Sequence, residues 1–207
     1  MALSADEAIN QLGDRTSAKR RSAAKRLNKL AYGAAGPELL RALRREVGHP
    51  RTWETQYEMV MALAACKYRP AIEFLTELAQ RPTEDTALRL ALGNSIVQLR
   101  SAEEGFAAPL RWCMDQGDPS LLDGALRAVA ENHAPLDTET VDRVLGFLDP
   151  LDPYDGLRYW AAVAAAQWPD DRVRTFLKSC VAGPRADVAA AAATSLASRP
   201  AKGGKRG

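Results

Sequence analysis

Residues 17–47 read SAKRRSAAKRLNKLAYGAAGPELLRALRREV, and this stretch decides the architecture. In its first half Ala23, Ala24, Leu27, Leu30 and Ala31 share one helical face. Lys19, Arg21, Lys25, Arg26 and Lys29 share the other. Tyr32-Gly33-Ala34-Ala35-Gly36 interrupts the pattern. Pro37 stands where a second helix starts, since its missing N–H is one that a first turn leaves unpaired anyway. Leu39, Leu40, Leu43 and Val47 line that helix, which Gly48-His49-Pro50 ends. The unit is a helical hairpin with one apolar side.

Working outward, Pro50, Pro82, Pro119, Pro153 and Pro184 recur at intervals of 32, 37, 34 and 31 residues, each followed by an apolar, helix-like run. A period of this size marks stacked helix pairs, because one pair cannot cover its own apolar face and the next pair does. The later hairpins are expected at 52–66 with 70–80, 84–99 with 109–116, 120–132 with 138–148, and 155–167 with 169–181. A last helix covers 186–198. Gly105-x-x-x-Pro109 copies Gly33-x-x-x-Pro37, and Gly117-Asp118-Pro119 copies Gly48-His49-Pro50. Asp137 is placed to cap a helix. Residues 1–13 form a leading cap segment, 14–198 one repeat domain, and 199–207 a disordered basic tail.

Composition agrees. A hydrophobic content of 46% excludes a mostly disordered chain, and Ala, Leu and Arg favour helix. No apolar run reaches the ~18 residues of a membrane span. The start lacks the basic-then-apolar order of a signal peptide, so a cytoplasmic protein with no membrane partner is expected. Cys66, Cys113 and Cys180 form no C-x-x-C pair and read as small buried hydrophobes. With only His49 and His133, no metal site is expected, and no cofactor motif is present.

The run Asp14-x4-Lys19-Arg20-Arg21-x-Ala23-Ala24-x2-Leu27-x2-Leu30, then Pro37-x-Leu39-Leu40-x2-Leu43, resembles a HEAT repeat of the armadillo-type family. Asp118-Pro119, Asp152-Pro153 and Pro184-x2-Asp187-x2-Ala190-Ala191 echo its opening. The resemblance covers roughly residues 14–198. It implies an all-α fold: a right-handed α-solenoid of about five helical hairpins plus a terminal helix. Glu58 and Asp123 depart from the pattern, in stretches where a basic residue is usual. HEAT arrays serve many tasks, so the resemblance speaks to fold more than to function.

Charge is uneven. From Arg15 to Arg51 eleven Lys or Arg stand against Glu38 and Glu46, a balance of +9. The resemblance places Arg41, Arg44 and Arg45 on a second helix, the kind that lines a concave side. Next to them, the segment Arg51 to Glu58 gathers Arg51, Trp53, Glu54, Tyr57 and Glu58, an Arg, two aromatics and two carboxylates within two helical turns. Trp53 and Tyr57 read either as core between repeats or as a binding hot spot. Trp112, Trp160 and Trp168 read as core. The acidic turn from Asp149 to Asp155 reads as a cation or basic-partner site, or as a rigid solvated loop. Some HEAT-like proteins are alkylpurine DNA glycosylases with an Asp four residues from a Trp on the same helix face. Here that position is Tyr57. The expectation is therefore a non-catalytic protein-binding module of the adaptor, inhibitor or toxin-immunity kind. The alternative is a nucleic-acid binder, with base excision as its enzymatic extreme.

Overall fold

The computed structural model describes residues 3–82, 85–169 and 171–199. Among them are twelve α-helices and no strand, so the chain is all-α. It divides into two compact units, Met1–Ala128 and Val129–Gly207.

In the first unit, α1 (Ala5–Gln11) precedes two hairpins, α2 (Ser17–Leu30) with α3 (Gly36–Glu46), and α4 (Trp53–Ala65) with α5 (Ile72–Gln80). A third follows, α6 (Thr86–Glu104) with α7 (Ala107–Asp115), and then α8 (Pro119–Glu131), in which the division falls. The first helices stack, α2 on α4 and α4 on α6, while α3 packs on α4 and α5 on α6. In α2 and α3 the seam follows the sequence reading: Ala23, Ala24, Leu27, Leu39 and Leu43 are fully buried, and α4 meets them with Met59, Val60 and Leu63, also fully buried. Leu30 and Ala31 leave that face. Leu30 is 38% exposed, and Ala31 ends α2 in the left-handed conformation, which turns the chain away.

The first two hairpins are offset by 36 residues. Ala31 (φ 49°) matches Lys67 (φ 53°), and both are followed by a Tyr that opens a 3-10 turn, at Tyr32 and Tyr68. Ala35 and Ala71, buried at the ends of those turns, complete the match. The prolines mark time less regularly because they occupy different places. Pro50 opens a 3-10 turn, Pro82 lies in a loop and Pro119 is the first residue of α8. The other punctuation marks differ too: Gly105 and Gly117 have positive φ, whereas Gly33 and Gly48 do not.

Short α1 closes one side of α2. Ser4 and Glu7 form a capping box, Arg26 donates to the Leu3 carbonyl at 2.6 Å, and Gln11 to that of Lys19 at 2.9 Å. Further along, α6 and α8 touch backbone to backbone. A Cβ on Gly93 would lie 1.9 Å from the Leu121 carbonyl oxygen, and one on Gly124 1.9 Å from that of Leu90. Only glycine permits an approach this close.

The second unit holds α9 (Thr138–Leu148), α10 (Arg158–Ala164), α11 (Asp171–Val181) and α12 (Ala186–Ser198). Asp137 caps α9 as expected, accepting from the Thr140 N–H at 2.7 Å. α12 packs on α10 and α11, and Ser195, buried in that contact, donates to the Ala162 carbonyl at 2.7 Å. The positions 84, 170 and 200–207, on which parts of the sequence reading fall, lie outside the described residues.

Candidate functional site

A groove of about 470 Å³ runs between α2 and α4 and is open to solvent. Ala18, Arg21, Ser22 and Lys25 form one wall, a single stripe of α2. Trp53, Glu54, Tyr57 and Glu58 form the other. The 36-residue offset explains why a groove forms. Glu54 and Glu58 are the counterparts of Ala18 and Ser22, and two short side chains on α2 leave the longer ones of α4 without a matching wall.

Trp53 is 40% exposed, so it belongs to the surface and not to the core between hairpins. Tyr57 and Glu58 are half-buried. Arg21 forms an ion pair with Glu54, so two of the four charges are already matched. Glu58 is less well served. Burial pushes its carboxyl above the usual value, and Lys25 and Arg21 pull it back only in part. Among the described residues no hydrogen bond reaches this carboxylate.

The sequence grouped seven residues as one binding set; the structure splits them. Trp53, Glu54 and Tyr57 line the groove, while Arg41, Arg44, Arg45 and Arg51 do not. All four arginines are exposed. Arg41 holds Glu38 with hydrogen bonds of 2.5 and 2.7 Å. Arg44 lies over the Phe74 ring of α5, 5.3 Å from its centre. Arg45 borders a separate polar recess of about 310 Å³ that also touches Asp14, Arg20, Glu46 and His49. Sequence reasoning missed Arg21 and Lys25 as members of the groove, and left Glu58 out of the binding set although it closes the same segment. Their signal was present in the offset between the hairpins, which places Arg21 and Tyr57 at equivalent positions.

Within the second unit a larger groove, about 610 Å³, lies between α10 and α12. Much of its polar lining is engaged. Thr194 donates to the Ala190 carbonyl and Ser198 to that of Ser195, while Arg185 holds Asp187 and brings its carboxyl down to about 2. The acidic turn is held by the chain's own arginines. Arg158 donates to the carbonyls of Leu148, Leu151 and Asp152 at 2.8–2.9 Å, and Arg172 pairs with Asp142 and Asp149. Among the described residues no group of three or more His, Cys, Asp or Glu is placed to hold a metal ion. Of the other tryptophans, Trp168 is buried at 2% exposure. Trp112 and Trp160 are half-buried, and Arg100 lies 5.8 Å above the Trp112 ring.

No described helix is long and apolar enough to cross a membrane. Compared with known proteins, the chain matches no family model and no curated relative.

Proposed function

We propose that this chain is a non-catalytic protein-binding module of the HEAT-repeat kind, which docks a partner on the α2–α4 groove with help from the arginine face of α3. The observation that carries this reading is Trp53, a large aromatic side chain left 40% exposed beside Tyr57 at the mouth of an open groove. Exposed aromatics in a groove rimmed by charge are the usual anchors of protein interfaces. The two hairpins related by 36 residues support a solenoid continuing in the same sense, and such arrays offer extended surfaces more readily than enclosed pockets. Adaptor, inhibitor and toxin-immunity roles all fit this reading.

The exposed arginines at positions 41, 44, 45 and 51 favour a second reading, contact with nucleic acid phosphates. The groove itself adds no net positive charge to attract a phosphate backbone, since Arg21 and Lys25 stand against Glu54 and Glu58.

Affinity capture of partners on the wild-type chain, Trp53→Ala and an Arg41/Arg44/Arg45→Glu variant tests both. The protein-binding reading expects a defined protein lost from the Trp53→Ala bait. Steeply salt-dependent binding of a DNA or RNA duplex, lost in the triple variant and untouched by Trp53→Ala, selects the second reading.

A further inference from the structure

We infer that the α2–α4 groove receives an arginine side chain of the partner, stacked on Trp53 and Tyr57 and forked onto the Glu58 carboxylate. This rests on the protein-binding reading and specifies what the partner presents.

Three observations converge. First, Trp53 and Tyr57, at i and i+4 on α4, both face the groove and offer aromatic surface to a flat cation. Second, Glu58 is a half-buried carboxylate that accepts no hydrogen bond among the described residues, and a buried acceptor in that state gains most from an incoming donor. Third, the cation that would most oppose a positive guest, Arg21, is already paired with Glu54. Lys25 is exposed on a flexible stem that can move aside, and its nearness to Glu58 does not cancel the upward push of burial on that carboxyl.

The repeat adds weight. At the position equivalent to Glu58 the first hairpin carries Ser22, which is exposed and brings no charge to the fold. A half-buried carboxylate is therefore not demanded by the hairpin itself. Arginine fits better than lysine because its guanidinium is planar, weakly hydrated, able to stack and able to fork onto a carboxylate in one pose. With Arg21 and Glu54 offsetting each other, an acidic guest would have to reach Lys25 beside the unmatched Glu58 carboxylate.

The test is a titration of the full chain with Nα-acetyl-arginine amide at low salt, followed through the tryptophan indole N–H signals in NMR. The four tryptophans make the readout self-controlled: Trp53 should shift and saturate, while Trp112, Trp160 and Trp168 stay still. Glu58→Gln, which keeps shape and removes charge, should weaken the arginine response about tenfold or more. The lysine amide should bind more weakly than the arginine amide. A silent Trp53 signal, equal response to arginine and lysine, or undiminished binding by Glu58→Gln overturns the inference. If phenylalanine or glutamate amides move Trp53 and arginine does not, the inference falls and the protein-binding reading stands. If a short DNA duplex moves it and no amide does, both fall.

Discussion

Arg20 of α2 grips Glu46 of α3 through two parallel hydrogen bonds, Nε to Oε2 at 2.7 Å and Nη2 to Oε1 at 2.8 Å. The same guanidinium donates to the carbonyls of Asp14 and Arg15, so one side chain ties the turn before α2 to the end of α3. The Gln56 amide of α4 donates to the Glu46 and His49 carbonyls and brings the second hairpin into the same knot. The Glu46 side chain is 3% exposed and that of Arg20 17%.

Removing one member of this pair strands the other. Glu46→Gln is expected to destabilise by about 3 kcal/mol, the lower end of the range for broken buried pairs, because Arg20 keeps some access to water. Burial raises the Glu46 carboxyl, but Arg20, helped by Thr52 and His49, outweighs it and the net position is below the usual 4.5. A lowered carboxyl contributes stability above its unfolded value and loses it as pH falls through the folded one. Urea unfolding between pH 7 and pH 3 should therefore show a loss below about pH 4.5 that is smaller in Glu46→Gln than in wild type.

The α6–α8 contact gives a sharper test. Alanine favours helix over glycine by about 1 kcal/mol, so Gly→Ala in an open helix should stabilise. Gly146, exposed on α9 where an added Cβ would come no closer than 3.9 Å to the Arg172 side chain, should do so. Gly93→Ala and Gly124→Ala should instead cost at least the ~1–3 kcal/mol of overpacking, because a methyl group would meet backbone, which cannot rotate aside. Melting curves of the three variants check the contrast.

Leu27→Ala and Leu43→Ala should each destabilise by about 2–5 kcal/mol, since both side chains are fully buried between helices. Trp53→Ala should change stability by less than about 1 kcal/mol and act on partner capture alone. Comparable melting losses in all three would return Trp53 to the core.

Cysteine chemistry offers a further check. Cys66, Cys113 and Cys180 are free and buried, and burial pushes the Cys113 thiol up to about 12. Thiolate is the reactive form, so Cys113 should resist iodoacetamide at pH 8 in the folded chain and react on unfolding.

Much of the fold was legible because apolar spacing on a helix is set by burial alone. Ala23, Ala24, Leu27, Leu39 and Leu43 went where the 3.6-residue period put them, and the terminal helix 186–198 was placed to the residue. Asp137 was read correctly because capping is local. The groove was harder. Trp53 and Tyr57 satisfy the same period as core residues, and only the shortness of Ala18 and Ser22 on the neighbouring helix leaves Trp53 outside. That depends on which helices are neighbours, which the spacing of one helix does not contain. The net charge of the first hairpin misled for a similar reason: Arg20, Arg21 and Lys19 find Glu46, Glu54 and Asp14, partners up to 33 residues away. The basic surface is therefore smaller than the count suggests.

The reciprocal glycine seats at Gly93 and Gly124 also constrain how such a chain can be rearranged. Hairpins joined by ordinary side-chain packing tolerate swapping, because side chains repack. Here two carbonyls occupy the space where methyl groups would sit, so α6 and α8 have to be transplanted together. A shuffled or lengthened descendant that splices a foreign hairpin between them should break at this joint first.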